Sequence, residues 1–216
     1  MKLIHSNVIF DEINAKEIYK KLEKHIRVCY KSEDKINENS HEKLISLIMQ
    51  KQHHSVLEHC SISARIICDR GVSHEIVRHR IGAYSQESTR YCNYGKDKFG
   101  GVTFIIPSHI DMKEVEYEVL DGVSISNIDE RFFLFALSVA EQHYLGLLEH
   151  GWTPQQARAV LPNATKTEID VTYNLRQWRH FIQMRATEYA HPDMKVIADY
   201  IKLTLQRELP LIFGDL

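Results

Sequence analysis

Two periods of apolar residues alternate along the chain. Between Asn39 and Gln52, Leu44, Ile45, Leu47 and Ile48 share one helical face, with Asn39 as cap and Glu42 completing a capping box. Ile62, Ala64, Ile66 and Cys68 then alternate with Ser61, Ser63 and Arg65, the period of a half-buried strand. Gly71 reads as a turn, Ser73 as the cap of a short helix running towards Arg80, and Gly82 as its stop. Tyr84 to Lys98 is polar and irregular. Val102 to Ile106 predicts a buried strand closed by Pro107, and the acidic stretch from Asp111 to Ile125 has no clear period.

The second half is more helical. A long helix begins near Asn127, carries Phe133, Leu134, Leu137, Tyr144 and Leu148, and ends at Gly151. Thr153-Pro154-Gln155-Gln156 opens a helix that stops at Leu161-Pro162. Ile169, Val171 and Tyr173 alternate as a strand, and Asn174 with Gln177 opens a helix through Trp178, Phe181 and Ile182. The last helix runs from about Pro192 to Leu209, with Ile197, Ala198, Ile201 and Leu205 on its apolar face. Helices interspersed with few strands predict an α+β (mixed α/β) fold. The expected form is one domain over residues 1–216, with a small, predominantly antiparallel sheet flanked by helices.

Composition narrows the function. Lys+Arg 27 against Asp+Glu 29 gives a net charge of -2, without the basic excess of a nucleic-acid coat. Only 9 glycines occur in 216 residues, which weighs against glycine-rich nucleotide loops and implies that any phosphate is held by side chains. Cys29, Cys60, Cys68 and Cys92 form no C-x-x-C pair and suggest reduced thiols in a cytoplasmic protein. No secretory h-region or membrane-length apolar stretch is visible.

Several patterns resemble sites without completing them. Gly95 to Gly100 begins like a P-loop, but Gly101-Val102 stands where lysine and a hydroxyl residue are needed. His74-Glu75 with His79 has its second histidine five positions on, about 140° round a helix from the first. His53, His54, Glu58 and His59 invite a metal, although such a cluster at a helix-to-strand junction is more often hydrogen-bonded polar structure, and the expectation is no metal. Arg176, Arg179 and Arg185 around Trp178 read, by themselves, as a solvated helix face.

Arg78 to Tyr91 changes that reading. Arg78, Arg80 and Arg90 converge with His79, Gln86 and Ser88 in fourteen residues, a cradle of forked cations and neutral donors suited to phosphate and carbonyl oxygens. Arg78-His79-Arg80, seven residues, then Ser88 resembles the signature of the flavin-dependent thymidylate synthases. His53, Ser55 and Glu58-His59, Ala157-Arg158-Ala159-Val160-Leu161-Pro162, and Asn174-Leu175-Arg176 through Arg185 resemble further elements of that family in the same order.

The resemblance implies a methyltransferase that converts dUMP to dTMP. Methylenetetrahydrofolate, a folate, would give the carbon, and FAD reduced by NADPH would give the hydride. It implies FAD contacts from Ser55, Arg78, His79, Arg80, Gln86, Asn174, Arg176 and His180. It implies dUMP contacts from Glu75, Arg78, Gln86, Glu87, Ser88, Thr89, Arg90, Arg158 and Arg185, some from different subunits of a homotetramer. Arg185 would be catalytic, stabilising negative charge on the uracil ring as a cation that never gives up its proton. Ser88 is expected to bind rather than attack. Glu75, Ala83, Ser85 and His180 stand where the family more often has glutamine, serine, asparagine and asparagine. A binding module without catalysis, and an RNA-binding protein using the basic loop, are the competing classes.

Overall fold

A computed structural model describes residues 1–116 and 127–216, so most of the acidic stretch 111–125 lies outside the described residues. In chain order the described elements are β1 (Lys2–Ile4), β2 (Asn7–Phe10), α1 (Ala15–Tyr30), α2 (Ser40–Gln50), a 3-10 turn (His54–His59), β3 (Ser61–Asp69), α3 (Arg70–Ile76) and β4 (Ala83–Gln86). There follow β5 (Thr103–Ile105), β6 (Val115–Glu116), α4 (Ile128–Glu149), α5 (Pro154–Ala157), β7 (Lys166–Asn174), α6 (Leu175–Arg185), α7 (Pro192–Glu208) and α8 (Pro210–Phe213). Among the described residues, no helix is long and apolar enough to cross a membrane.

The strands form two small sheets, ordered β5-β1-β6 and β2-β3-β7-β4. β1 runs parallel to β5 and antiparallel to β6. β3 and β7 are antiparallel, because Ser63 faces Thr172 across 2.8 Å while Arg65 pairs with Asp170. β4 follows the same rule: Glu87 N–H donates to the Glu168 carbonyl, and Gly82 lies against Tyr173. The chain thus adopts the expected mixed fold with mainly antiparallel pairing.

The described residues divide into two compact units, 1–7, 67–77 and 85–169 in the first and 8–66, 78–84 and 170–216 in the second. The first has its own core of Leu3, Val102, Phe104, Ile106, Leu134, Leu137 and Tyr144. The second is centred on Trp178, whose ring lies 4.7 Å from Tyr173 and 5.8 Å from Phe181. The buried indole N–H donates to the Ile62 carbonyl at 3.1 Å, so this large residue is buried without an unpaired donor.

Three local expectations need correction. Asn39 precedes α2 but makes no side-chain cap, so the box with Glu42 is not formed. Ser40, the first residue of α2, instead accepts Asn37 N–H at 2.9 Å and donates to buried Glu23 at 2.6 Å. Glu23 also holds Arg27 at 2.8 Å, and this pairing is what makes two buried charges tolerable. α3 is capped by Asp69, which accepts from Val72 N at 2.8 Å, and it ends at Ile76 well before Arg80. Ser73 instead points inward from the middle of that helix, donating to the Arg70 carbonyl at 2.9 Å. The stretch read as irregular from Tyr84 begins as β4.

Gly82 has a steric role. A Cβ there would sit 2.3 Å from two ring carbons of Tyr173 and 3.1 Å from the Thr172 carbonyl oxygen. Gly82→Ala is expected to lower stability by about 1–3 kcal/mol through overpacking, read as a lower denaturant midpoint with little change in slope.

Candidate active site

The second unit contains an open groove of about 850 Å3. One wall is the segment Arg78, His79, Arg80 and Ile81; the facing wall is α6 with its cap, Asn174, Arg176, Gln177, His180, Gln183, Met184 and Arg185. The α6 wall is dictated locally. Asn174 Oδ1 accepts Gln177 N–H at 2.8 Å, and the Leu175 N–H donates to the Cys60 carbonyl at 3.0 Å. With Trp178, Phe181 and Ile182 buried, Arg176, His180 and Gln183 must line the opposite, exposed stripe.

His79 is the buried centre of this wall. Its Nε2 lies 3.0 Å from Arg185 Nε, and its Nδ1 lies 3.4 Å from the Gln177 side-chain amide. Because guanidinium is only a donor, Nε2 must be the unprotonated nitrogen, and the imidazole is neutral. The same surroundings act on its proton affinity. Burial, then the charges of Arg185 and His180, lowers the His79 pKa from 6.5 to about 4. Tyr84 donates its hydroxyl to the His79 carbonyl, fixing the backbone as well.

Among the described residues Glu58 is the only carboxylate that lines the groove, and Arg176 Nη1 holds it at 2.6 Å. Arg179 departs from the solvated reading: it is buried and pairs through both Nη atoms with Asp215, at 2.6 and 2.7 Å. His54, weighed above as a metal ligand, lines the groove; burial, then Arg179 and Arg176, lowers its pKa. His59 stacks on His25 with ring centroids 3.8 Å apart, an arrangement unlike ligands converging on one ion. Ser55 lines a separate groove of about 330 Å3 with Ile26, Tyr30, Ile48 and His53, sharing His54 and Arg176 with the first.

The other expected site residues belong to the first unit. Gln86 Nε2 donates to Ser73 Oγ at 2.9 Å and to Thr167 Oγ1 at 3.2 Å. Glu87 accepts from Tyr94 Oη at 2.8 Å and pairs at 3.0 Å with Lys166 Nζ, a cation it shares with Glu168. Ser88 Oγ accepts Arg90 N–H at 3.3 Å, and Arg90 Nε reaches Gln155 at 3.2 Å. Arg158 Nη1 donates to buried Thr89 Oγ1 at 3.0 Å, and Glu75 is half-buried on α3. Gln177, Gln183 and Lys166 were missed by sequence reasoning. The spacing Arg176, His180, Gln183 on one helix face was a signal available for the second.

The lowered His79 pKa fixes a pH dependence. The unfolded chain takes up this proton near pH 6.5, whereas the folded chain resists it until about pH 4. Stability from the neutral imidazole is therefore complete above pH 6.5 and is lost as pH falls towards 4. The melting temperature is expected to drop over that window, and less steeply in His79→Gln than in the unaltered protein.

With this geometry in place, the comparisons are informative. Residues 13–211 match the family described as thymidylate synthase complementing protein, Thy1. A flavin-dependent thymidylate synthase of Corynebacterium glutamicum is 36% identical over 198 residues, covering 88% of this chain and 76% of the relative. One of Mycobacterium tuberculosis is 36% identical over 192 residues with the same coverage. The crystal structure of a UMP/dUMP methylase, PolB, from Streptomyces cacaoi bound with 5-Br dUMP has a TM-score of 0.77 at 25% identity, covering 99% of this chain and 96% of that one. A match running through most of the chain, in agreement with the motifs that form the groove, shows that this chain belongs to the Thy1 family of flavin-dependent thymidylate synthases.

Proposed function

We propose that the chain catalyses the reductive methylation of dUMP to dTMP, with methylenetetrahydrofolate as carbon donor and NADPH as reductant of FAD. The observation that carries this reading is the meeting of two sequence motifs, Arg78-His79-Arg80 and Asn174 to Arg185, on a single groove. Its donor set suits a flavin dinucleotide: Arg78 and Arg80 offer forked cations to a pyrophosphate, and Arg176 offsets the carboxylate of Glu58 beside them. When bound, FAD supplies the hydride chemistry.

The protein's part is charge and position. Arg185 presents a permanent cation that stabilises negative charge developing on the uracil N3 and carbonyls, making ring position 5 nucleophilic. Neutral His79 and the Asn174 amide supply donors and acceptors without adding charge, and His180 adds a ring nitrogen on the same groove. Ser88, Thr89, Arg90 and Arg158 hold the nucleotide, with contacts drawn from different subunits of a homotetramer. Self-association is supported by exposed apolar stripes at helical spacing, Ile128, Phe132 and Phe135 on α4 and Val196, Tyr200 and Leu203 on α7. A cytoplasmic location is supported by the free state of Cys29, Cys60, Cys68 and Cys92.

Purified protein is expected to be yellow and, supplied with NADPH, to release the proton at position 5 of dUMP. Colour without proton release would sink catalysis in favour of a binding module. UMP run in parallel defines the sugar preference. Arg185→Ala is expected to reduce turnover about a hundredfold or more while FAD still copurifies. Phe132→Asp is expected to shift the assembly towards smaller species in sedimentation.

A further inference from the structure

The loop 87–94 of the first unit is closed on itself by its own side chains. Glu87 stands at its start and Tyr94 at its end, and Tyr94 Oη donates to Glu87 Oε1 at 2.8 Å. Backbone bonds fold the chain between them: the Ser88 carbonyl accepts the N–H groups of Tyr91 and Cys92 at 3.1 and 2.9 Å. Ser88 Oγ accepts Arg90 N–H, and buried Thr89 accepts from Arg158. Tyr94 anchors this closure in the core of the unit. It is buried, its ring lies 5.4 Å from Phe99 and 5.9 Å from Tyr144, and its N–H donates to Tyr144 Oη at 3.3 Å.

A second tie comes from β7. Lys166 Nζ meets Glu87 Oε2 at 3.0 Å and Glu168 Oε1 at 2.5 Å, so one ammonium spans two carboxylates that would otherwise repel. The Lys166 and Glu87 side chains are only 17% and 14% exposed, so mobile ions screen the pair little. The Glu87 backbone is fixed as well: its N–H donates to the Glu168 carbonyl at 2.8 Å, and its carbonyl accepts from Arg70 Nη1 at 3.3 Å. Both carboxylate oxygens of Glu87 are thus engaged by protein donors. Turned instead towards a nucleotide phosphate, the same carboxylate would repel it.

We propose that Glu87, Tyr94 and Lys166 are positioning residues that clamp the loop so that Ser88, Thr89 and Arg90 meet the nucleotide already arranged. Glu87 acts through the loop and makes no contact of its own with the ligand. That the ligand is a nucleotide rests on the reading given above. The clamp goes beyond it: Tyr94 and Lys166 belong to none of the motifs that carry the resemblance, and Glu87 takes a role other than the direct contact the resemblance implies. A loop set before the ligand arrives need not be ordered on binding, so the clamp acts on affinity more than on turnover.

The variants Tyr94→Phe, Lys166→Met, Lys166→Arg and Glu87→Gln, with the double variant Glu87→Gln/Tyr94→Phe, are compared as flavin-loaded protein. Tyr94→Phe and Lys166→Met are expected to weaken dUMP about tenfold by calorimetry and to raise its KM alike, with kcat and FAD content little changed. Lys166→Arg is expected to recover most of the loss, since a guanidinium can also span two carboxylates. The double variant is expected to lose no more than the weaker-binding single variant. Additive losses would give Glu87 a separate contact with the nucleotide and overturn the proposal. Unchanged dUMP affinity in Tyr94→Phe and Lys166→Met overturns it too, as does a fall in kcat and FAD content as large as the fall in affinity. Should Lys166→Met not fold, Tyr94→Phe decides by the same measurements. Hydrogen exchange at the Tyr91 and Cys92 amides is read without nucleotide and judges the clamp even in a protein that binds no dUMP: faster exchange in Tyr94→Phe is expected, and unchanged rates sink the clamp. Clamp-dependent dUMP binding by a protein that makes no dTMP would remove the proposed reaction and leave the clamp intact.

Discussion

The junction between β7 and α6 is the constraint on which the groove depends. The chain passes from strand to helix at Asn174 with no intervening loop, so any rotation of the helix would be transmitted to every residue on it. Three hydrogen bonds prevent that rotation: Asn174 to Gln177, Leu175 to Cys60 and Trp178 to Ile62. The last two go to backbone carbonyls, and the Trp178 bond is itself buried, where a lost partner costs more than in water. A cap at one end and an indole anchored one turn later set the phase of the helix. Arg176 and His180 then face the groove, and Arg185 in the last turn reaches His79.

Charge is organised by the same economy. The chain is near neutral, but its arginines are treated in two ways. Arg27 and Arg179 are buried and paired with Glu23 and Asp215, where they act as structure. Arg70, Arg158 and Arg185 are steered by carbonyls, hydroxyls or an imidazole in the bonds described, which orient a guanidinium without cancelling it. A carboxylate in those places would hold the side chain more firmly and remove the field that makes it useful.

Most elements were legible because their signal is local. The alternation through Ile62 to Cys68 and Ile169 to Tyr173 gave β3 and β7, and the Asn174–Gln177 pair gave α6 at the right residue. α1 carries a signal of the same kind in Tyr19, Leu22 and Ile26, buried one turn apart. Misreadings occurred where a polar residue had two possible partners. Ser73 has the composition of a cap, but Asp69 supplies the cap and Ser73 bonds Gln86 from a distant strand. Glu42 has the spacing of a box, but Ser40 is drawn to Glu23 on another helix. The family motifs supplied the candidate residues. Which of them fall in the first unit and which in the second was not legible, because that follows from tertiary packing and leaves no trace in spacing.

The neutral state of His79 has a consequence for how the groove responds to its surroundings. An ion pair holding Arg185 would loosen as ionic strength rises, since mobile ions screen it. The bond from Arg185 Nε to an uncharged ring nitrogen has no net charge on its acceptor to be screened. The Arg176–Glu58 pair beside it is exposed on both sides and is the contact that salt weakens. The two arginines on one helix are thus set against different backgrounds: the Arg176–Glu58 pair is a salt-sensitive latch at the rim, and the Arg185–His79 bond is not one that ionic strength screens.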